Sequence, residues 1–222
     1  MVQTDAPDVP LHMELYSRIT IDREREVPAG VFIPLAERAE VITQLDRKVI
    51  ELMLGTYHNW QDRKLAINLS GTSIVDPDFV DWLCDHLQNI SASDLDIYFE
   101  LSELSVVRNL EAVVTFSRRI REGGHHIGID HFGRSFSNFG YLKSVQPEYV
   151  KIDRAFTREL ELGDSDAYFF VGSLRGVAHS LDIKVIGEGV EKEEQVRLFE
   201  ELRVDGLQGY LVEQPILMTS KF

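Results

Sequence analysis

The chain has only one cysteine and no long hydrophobic run. The single Cys84 excludes an internal disulfide and a thiolate-rich metal cluster. No apolar stretch approaches the roughly 18 residues that a membrane-spanning helix needs. Residues 1–10 also lack the basic and apolar regions of a signal peptide. We therefore expect a cytoplasmic location and no membrane segment in this chain.

Basic residues are few relative to acidic ones. The 222 residues include 23 Lys and Arg against 37 Asp and Glu, which gives a formal net charge of −14. This balance argues against binding of nucleic acid polymers without sequence preference, because such binding depends on neutralising phosphates with Lys and Arg. A small anionic ligand would need local help from metal ions, a few placed basic side chains or helix N-termini.

Strand-like and helix-like patterns alternate along the chain, and 44% of its residues are hydrophobic. Residues 1–10 predict a disordered lead-in and residues 11–222 a single domain. The predicted strands cover residues 11–21, 64–70, 96–102, a stretch from 127, 149–153, 182–188 and 206–210. The predicted helices cover residues 34–54, a segment that begins at Asp76-Pro77, 106–122, 167–181 and 193–202. So many βα units in one compact domain favour a closed α/β barrel.

Residues 127–156 are the centre of this prediction, because two strands there flank a loop and a short amphipathic segment as a parallel βαβ unit. Seven polar residues end predicted strands: Glu14, Asn68, Glu100, Asp130, Lys151, Glu188 and Gln208. Each one alone is more simply a helix cap or a solvated group. In a barrel, however, strand ends meet at one rim, so we expect the seven to share a pocket. Convergent carboxylates repel one another unless cations lie between them, which favours Mg²⁺, Mn²⁺ or Ca²⁺.

The strings around these residues resemble the EAL domain family of bacterial cyclic di-GMP phosphodiesterases. They are ELYSR at 14–18, FIPLAE at 32–37, INLS at 67–70, ELSE at 100–103, DHFGRSFS at 130–137, VKID at 150–153, GEGVE at 187–191 and QGY at 208–210. They occur in the family's order with near-family spacing over nearly the whole chain. The resemblance implies a TIM-type (β/α)8 barrel with an antiparallel first strand, and cyclic di-GMP as the ligand.

The resemblance also implies a role for each matching position. Ligands of a first metal, Mg²⁺ or Mn²⁺, are Glu14, Asn68, Glu100 and Asp130. Catalytic positions are Lys151, Glu188 and Glu191. Nucleotide-binding positions are Arg18, which matches a phosphate-contacting arginine, and Tyr16, Phe32, Pro34, Ser70 and Gln208. The glutamate that steadies the loop after the fourth strand is matched by Glu103.

Three departures from the family pattern bear on catalysis. The EAL triplet reads Glu14-Leu15-Tyr16, the string DDFGTG reads DHFGRS at 130–135, and the closing S-K-P reads EQP at 213–215. His131 therefore stands where the family has an aspartate that binds the second metal. Because Mg²⁺ prefers oxygen ligands, we expect one metal site at most. We favour a histidine that hydrogen-bonds inside a lapsed site over one that binds Mn²⁺ or Zn²⁺.

Three functions stay open at this point. The favoured one is a weak or inactive EAL domain, similar to LapD-like receptors, that binds cyclic di-GMP and reports to attached domains or a partner protein. The alternatives are a metal-dependent phosphodiesterase that gives linear pGpG, and an interaction scaffold without nucleotide binding. Family members often lie at the C-terminus of longer, sometimes membrane-anchored proteins, so whether this chain is an excised domain stays open. Homodimers are common among relatives.

Overall fold

Strands and helices alternate in the computed structural model of the chain, which describes residues 1–4, 11–21, 25–56, 64–88, 95–135 and 138–216. Over these ranges the strands β1 to β10 are Val2–Gln3, Met13–Leu15, Arg18–Ile21, Arg25–Pro28, Lys64–Asn68, Asp96–Ser102, His126–Phe132, Tyr149–Ile152, Lys184–Glu188 and Gly206–Gln208. The helices α1 to α10 are Ala29–Arg38, Ile42–Gly55, Gly71–Ile74, Pro77–Leu87, Glu103–Arg108, Leu110–Glu122, Gly140–Val145, Arg154–Glu161, Ser165–His179 and Glu193–Glu201. None of the helices within the described ranges is both long and apolar enough to span a membrane.

Eight of the strands form one sheet, in the order β1, β10, β9, β8, β7, β6, β5, β2. The strands from β10 to β2 pair in parallel, whereas β1 is antiparallel to β10. The backbone N–H of Leu11 donates to the carbonyl of Met1 (3.0 Å), and Gln208 of β10 contacts Glu14 of β2. The two ends of the sheet therefore meet, and the expected barrel with an antiparallel first strand is confirmed.

The antiparallel strand lies within the stretch 1–10 that the sequence predicted to be disordered. That prediction is wrong for residues 1–4, because Met1 is buried and Val2 and Gln3 pair with β10 at the seam of the barrel. Residues 5–10 lie outside the described residues. The single strand predicted at 11–21 is also wrong, since it is divided into β2, parallel to β5, and β3, which pairs with β4 in a separate two-stranded sheet.

Two predicted helices are interrupted. The helix predicted at 34–54 is divided into α1, which begins earlier, and α2, because Glu40 adopts a φ of +57° through which a right-handed helix cannot continue. The helix predicted at 106–122 is divided at Asn109 into α5 and α6. The sequence analysis also missed α8, whose first turn is capped where Asp153 accepts from the N–H of Ala155 (2.9 Å).

The interior of the barrel is filled by a small layer of side chains beneath the carboxyl-end rim. His12 stacks between the rings of Tyr98 and Tyr149, at centroid distances of 5.1 and 4.7 Å. The same interior cluster contains Met1, Ala66, Tyr98, Tyr149 and Ile186. Successive residues of a strand face opposite sides of the sheet. The residues two positions after this layer on the same strands therefore face the same interior, one layer higher: Glu14, Asn68, Glu100, Lys151 and Glu188.

Candidate functional site

Lys151 lies at the centre of the carboxyl-end rim. Its side chain on β8 is fully buried, and its Nζ lies 2.7 Å from both Glu14 Oε2 and Glu100 Oε2. Burial opposes a charge on this lysine, but the carboxylates of Glu100 and Glu14 hold the pKa of Lys151 well above its usual range. The rim therefore contains a built-in cation that neutralises part of its acidic charge.

Glu14 connects four neighbours at the end of β2. Its Oε1 accepts from Asn68 Nδ2 (2.7 Å), and its Oε2 accepts from Gln208 Nε2 (2.6 Å) and from the Tyr16 hydroxyl (2.9 Å), besides Lys151. Burial alone would raise the pKa of Glu14, but the Lys151 ammonium and these hydrogen bonds lower it to about 2. Glu14 is therefore an ionised carboxylate, and each of these four neighbours donates a hydrogen bond to it.

Glu100 is the deeper of the two acids that contact Lys151. Its Oε1 accepts from the Tyr149 hydroxyl (2.6 Å), and His12 Nε2 lies 3.7 Å from the same oxygen. Burial and the nearby Glu14 carboxylate raise the pKa of Glu100, which makes it the more easily protonated acid of the pair. The sequence analysis missed Tyr149 and His12. Their signal was spacing, because each precedes a predicted site residue by two positions on its strand.

A second group at the rim consists of Asp130, His131 and Glu188. One ligand atom from each lies within 4.8 Å of the others. The register of β7 against β8 shifts between Ile129 and Phe132, and His131 has a φ of +58°. Because of this irregularity the adjacent side chains of Asp130 and His131 face the same side, with His131 Nε2 3.8 Å from Asp130 Oδ2. The charges of Asp130 and Glu188 also raise the pKa of Lys151, so the two groups interact electrostatically at the rim.

Asp153 fixes the ring of His131. The buried Asp153 Oδ2 lies 2.9 Å from His131 Nδ1, while its Oδ1 caps α8. Arg134, an exposed residue of the following loop, lies 3.6 Å from the same Oδ2. The hydrogen bond to Asp153 raises the pKa of His131 in spite of burial. Without a metal, the charge of the ring is therefore positive over a wider pH range than that of an ordinary histidine.

Glu103 anchors the loop that follows β7. Its fully buried carboxylate accepts from the backbone N–H groups of Gly133 (3.2 Å) and Ser135 (2.8 Å) through Oε2, and from the Tyr141 hydroxyl (2.6 Å) through Oε1. These are contacts of the kind that the family resemblance implies for this position. The loop beside the site is thus tied to the first turn of α5.

The other predicted residues are not part of these two groups. Arg18 is exposed on β3 and pairs with Glu26 (3.4 Å). Ser70 caps α3, where its hydroxyl accepts from the N–H of Ser73 (3.1 Å). Phe32 is buried in α1, Pro34 is exposed in the same helix, and Glu191 is exposed after β9. Their contacts with a ligand stay predictions.

Comparisons with known proteins agree with this geometry. A family model described as the EAL domain matches residues 2–215. The chain belongs to the EAL domain family. Cyclic di-GMP phosphodiesterase PdeB of Shewanella oneidensis is 30% identical to it over 207 residues, which are 91% of this chain and 24% of PdeB. The chain therefore spans about a quarter of the length of that relative.

Two solved structures share the fold of this EAL domain. One is the complex of the PaMucR phosphodiesterase with c-di-GMP, MucR being a Pseudomonas aeruginosa protein, with a TM-score of 0.84 and 30% identity over 97% of this chain and 93% of that chain. The other is Vibrio cholerae LapD S helix-GGDEF-EAL in its apo form, with a TM-score of 0.86 and 26% identity over 96% of this chain and 52% of that chain. The family thus includes a phosphodiesterase and a LapD protein at similar distances from this chain.

The oxygen atoms of this EAL domain fit a hard divalent cation at the rim. Glu188 Oε2 and Gln208 Oε1 are buried, and within the described ranges neither has a hydrogen-bond donor. Burial, followed by the charge of Asp130, raises the pKa of Glu188 to about 7. Carboxylate and amide oxygens are ligands that Mg²⁺ and Mn²⁺ accept. A cation here would relieve both the orphaned oxygens and the repulsion between acids.

Proposed function

We propose that this EAL domain is a cyclic di-GMP receptor module with weak or no hydrolysis in Mg²⁺. The complex of the MucR phosphodiesterase with c-di-GMP, at 30% identity over 97% of this chain, supports the choice of ligand. One observation carries the choice of receptor over enzyme. His131, whose Nδ1 is engaged by Asp153 at 2.9 Å, stands beside Asp130 where the family has a second aspartate.

The proposed binding site is the carboxyl-end rim of the barrel. Glu14, Asn68, Glu100 and Asp130 would hold one divalent cation, which polarises a bound phosphate. The nucleotide would contact residues around it: Arg18, Tyr16, Ser70, Phe32, Pro34 and Gln208. The Lys151 ammonium already compensates the charges of Glu14 and Glu100. These two acids therefore repel an incoming phosphate less than two uncompensated carboxylates would.

Loss of hydrolysis follows from the charge of the Asp130 group. A two-metal phosphodiesterase needs enough negative charge to hold two dications and to stabilise the transition state, a contribution of several kcal/mol for a Lewis-acid metal. Imidazole in place of carboxylate removes one negative charge, and the hydrogen bond to Asp153 favours a further positive one. A second Mg²⁺ is disfavoured, while the rest of the rim is kept for binding.

The output of the receptor would depend on other parts of a longer protein or on a partner protein. The chain spans 24% of PdeB, so attached domains are the first candidates to sense whether the rim is occupied. Homodimerisation through this domain is part of the same proposal.

A second candidate is a cyclic di-GMP phosphodiesterase that gives linear pGpG. It is favoured by the similarity to the phosphodiesterases PdeB and MucR. The retained acids also favour it: Glu14, Glu100, Asp130 and Glu188. Glu191 would then be a supporting catalytic residue, with Lys151 close to the reacting phosphate.

Calorimetry with cyclic di-GMP tests the receptor function directly. We expect binding to the chain in Mg²⁺, and a loss of at least about tenfold in affinity for Arg18→Ala, because a charge-assisted phosphate contact is removed. Arg118→Ala is the matched control, since Arg118 also forms an exposed pair with a glutamate, Glu122 (4.0 Å), but lies on α6. No binding by the unmodified chain would refute the receptor function.

A hydrolysis assay in Mg²⁺ and in Mn²⁺ separates receptor from enzyme. We expect little turnover by the unmodified chain and a gain for the combined variant His131→Asp, Arg134→Thr, Ser135→Gly. Brisk turnover by the unmodified chain in Mg²⁺ would support the phosphodiesterase instead. If the variant gains nothing while it still binds nucleotide, these three positions are not the cause of the inactivity.

A further inference from the structure

We infer that Asp130, His131 and Glu188 bind a transition-metal dication such as Zn²⁺ in preference to Mg²⁺. The inference specifies which metal this part of the rim binds. It rests on the proposed function only in that both concern the same rim. Nucleotide is not required for the site, so the two can be tested apart.

The first argument is the orientation of His131. Its Nδ1 lies 2.9 Å from Asp153 Oδ2, and Asp153 is itself held, because it is buried and caps α8 through Ala155. A histidine that binds a metal characteristically has its other ring nitrogen hydrogen-bonded to a carboxylate, which fixes the ring and strengthens the ligand. The contact with Asp153 leaves Nε2 free to act as the ligand.

The second argument is distance. His131 Nε2 lies 3.8 Å from Asp130 Oδ2, and the three ligand atoms lie within 4.8 Å of one another. Two ligand atoms that are each about 2.1 Å from one tetrahedral ion are about 3.4 Å apart. Small rotations of Asp130 and Glu188 are therefore enough to place one ion between the three atoms.

The third argument is a buried oxygen that has no partner. Glu188 Oε2 has no hydrogen-bond donor in the part of the chain that the structure describes, although it is buried beside Asp130. An unpaired buried carboxylate oxygen carries a desolvation cost that a bound cation removes. Glu188 belongs to the same three-residue cluster as His131.

The ligand set selects the metal. Mg²⁺ requires nearly octahedral oxygen coordination, whereas imidazole suits Zn²⁺ and other transition metals. Three protein ligands with one position left open to water or a phosphate oxygen is a common arrangement for zinc at reactive sites. With the aspartate found in the family at position 131, the same cluster would offer only oxygens.

Titration of the EDTA-treated chain with Zn²⁺ alone and with Mg²⁺ alone tests the site without nucleotide. We expect one Zn²⁺ whose binding depends on His131, and we expect this ion to bind about 100-fold or more tightly than Mg²⁺. His131→Asp should reduce this preference at least about tenfold, because the nitrogen ligand becomes an oxygen. Co²⁺ added instead should give a visible absorption spectrum that changes in His131→Asp.

Asp153→Asn tests the positioning role of Asp153. Asparagine still caps α8, so the fold is kept, but Zn²⁺ affinity should fall about 10- to 100-fold without loss of a ligand. His179→Asn is the matched control, because His179, the last residue of α9, also pairs with an aspartate: its Nε2 lies 2.8 Å from Asp205 Oδ2. It should leave Zn²⁺ affinity unchanged.

Equal affinities for Zn²⁺ and Mg²⁺ in the unmodified chain would overturn the inference, as would Zn²⁺ binding that His131→Asp does not alter. Failure of the receptor function is distinguishable from this result. Zn²⁺ binding with the expected response to His131→Asp, but no cyclic di-GMP binding, would refute the receptor and leave the metal site standing.

Discussion

Replacing Lys151 with methionine would remove the central charge of the rim and keep much of its volume. Methionine is unbranched and flexible, so it can fill the space of the lysine stem. Glu14 and Glu100 would lose the ammonium that they share at 2.7 Å. The variant Lys151→Met therefore isolates the electrostatic contribution of this lysine to the stability of the barrel.

The magnitude follows from the burial of all three groups. At 2.7 Å, and with an effective dielectric constant of about 20, each contact amounts to about 6 kcal/mol of Coulomb attraction. Desolvation of the ions offsets much of this in the intact protein, but after removal of one partner the others stay buried without compensation, which typically costs about 3–5 kcal/mol. We expect the free energy of unfolding to fall by that amount at pH 8.

The loss should be smaller at pH 5. In the unmodified chain the pKa of Glu14 is lowered from 4.5 to about 2, so its stabilising contribution is complete above pH 4.5 and is lost only as the pH falls through 2. In Lys151→Met, burial acts without the ammonium and raises the pKa of Glu14 above its value in the unfolded chain. The folded variant then takes up a proton at low pH, which relieves the buried charge.

Urea unfolding in EDTA at pH 5 and pH 8 measures both effects. Lys184→Met is the matched control, because Lys184 lies on the next strand and pairs with Glu148 at 3.0 Å, but its side chain is 50% exposed. Its loss should cost no more than about 1 kcal/mol at either pH. The reasoning is refuted if Lys151→Met costs no more than Lys184→Met, or if its cost is the same at both pH values.

Three further changes test the surroundings of the site. Gly128→Ala should lower the free energy of unfolding, measured with urea, by about 1–3 kcal/mol, because the added Cβ would lie 2.6 Å from the ring of Tyr149. Its control is Gly176→Ala, which should be neutral or stabilising because a Cβ there would meet nothing within 4 Å. Glu103→Gln should speed hydrogen exchange of the loop amides that it accepts from by about tenfold, because a charge-assisted bond becomes neutral. Glu188→Gln should stabilise the EDTA-treated chain by at most about 3 kcal/mol at pH 8 and by much less at pH 5. The pKa of Glu188 is raised from 4.5 to about 7, so the cost of its charge in the folded state builds up between these two pH values and is complete above pH 7.

Much of the barrel and of its rim could be predicted from the sequence, because strand periodicity places alternate residues on one face. Glu100 and Lys151 are examples, since each lies near the carboxyl end of a clear strand and the structure brings them into contact. The strand β1 could not be predicted, because two residues carry no period and their pairing with β10 is set by the closure of the barrel. The contact between His131 and Asp153 also depends on an irregular register in β7, which residue types do not reveal.

The two halves of the rim differ in their charge balance, and under the proposed function this difference separates binding from hydrolysis. Glu14 and Glu100 each lie 2.7 Å from the Lys151 ammonium, whereas Asp130 and Glu188 form a cluster with His131. Exchange of the family's aspartate for histidine removes one negative charge from this cluster, so an anionic diester meets less repulsion when no metal is bound. We therefore expect the unmodified chain to retain measurable affinity for cyclic di-GMP in EDTA, and His131→Asp to bind at least several-fold more weakly there and to recover in Mg²⁺. Equal affinities of the two proteins in EDTA, measured by calorimetry, would show that charge at position 131 does not govern binding.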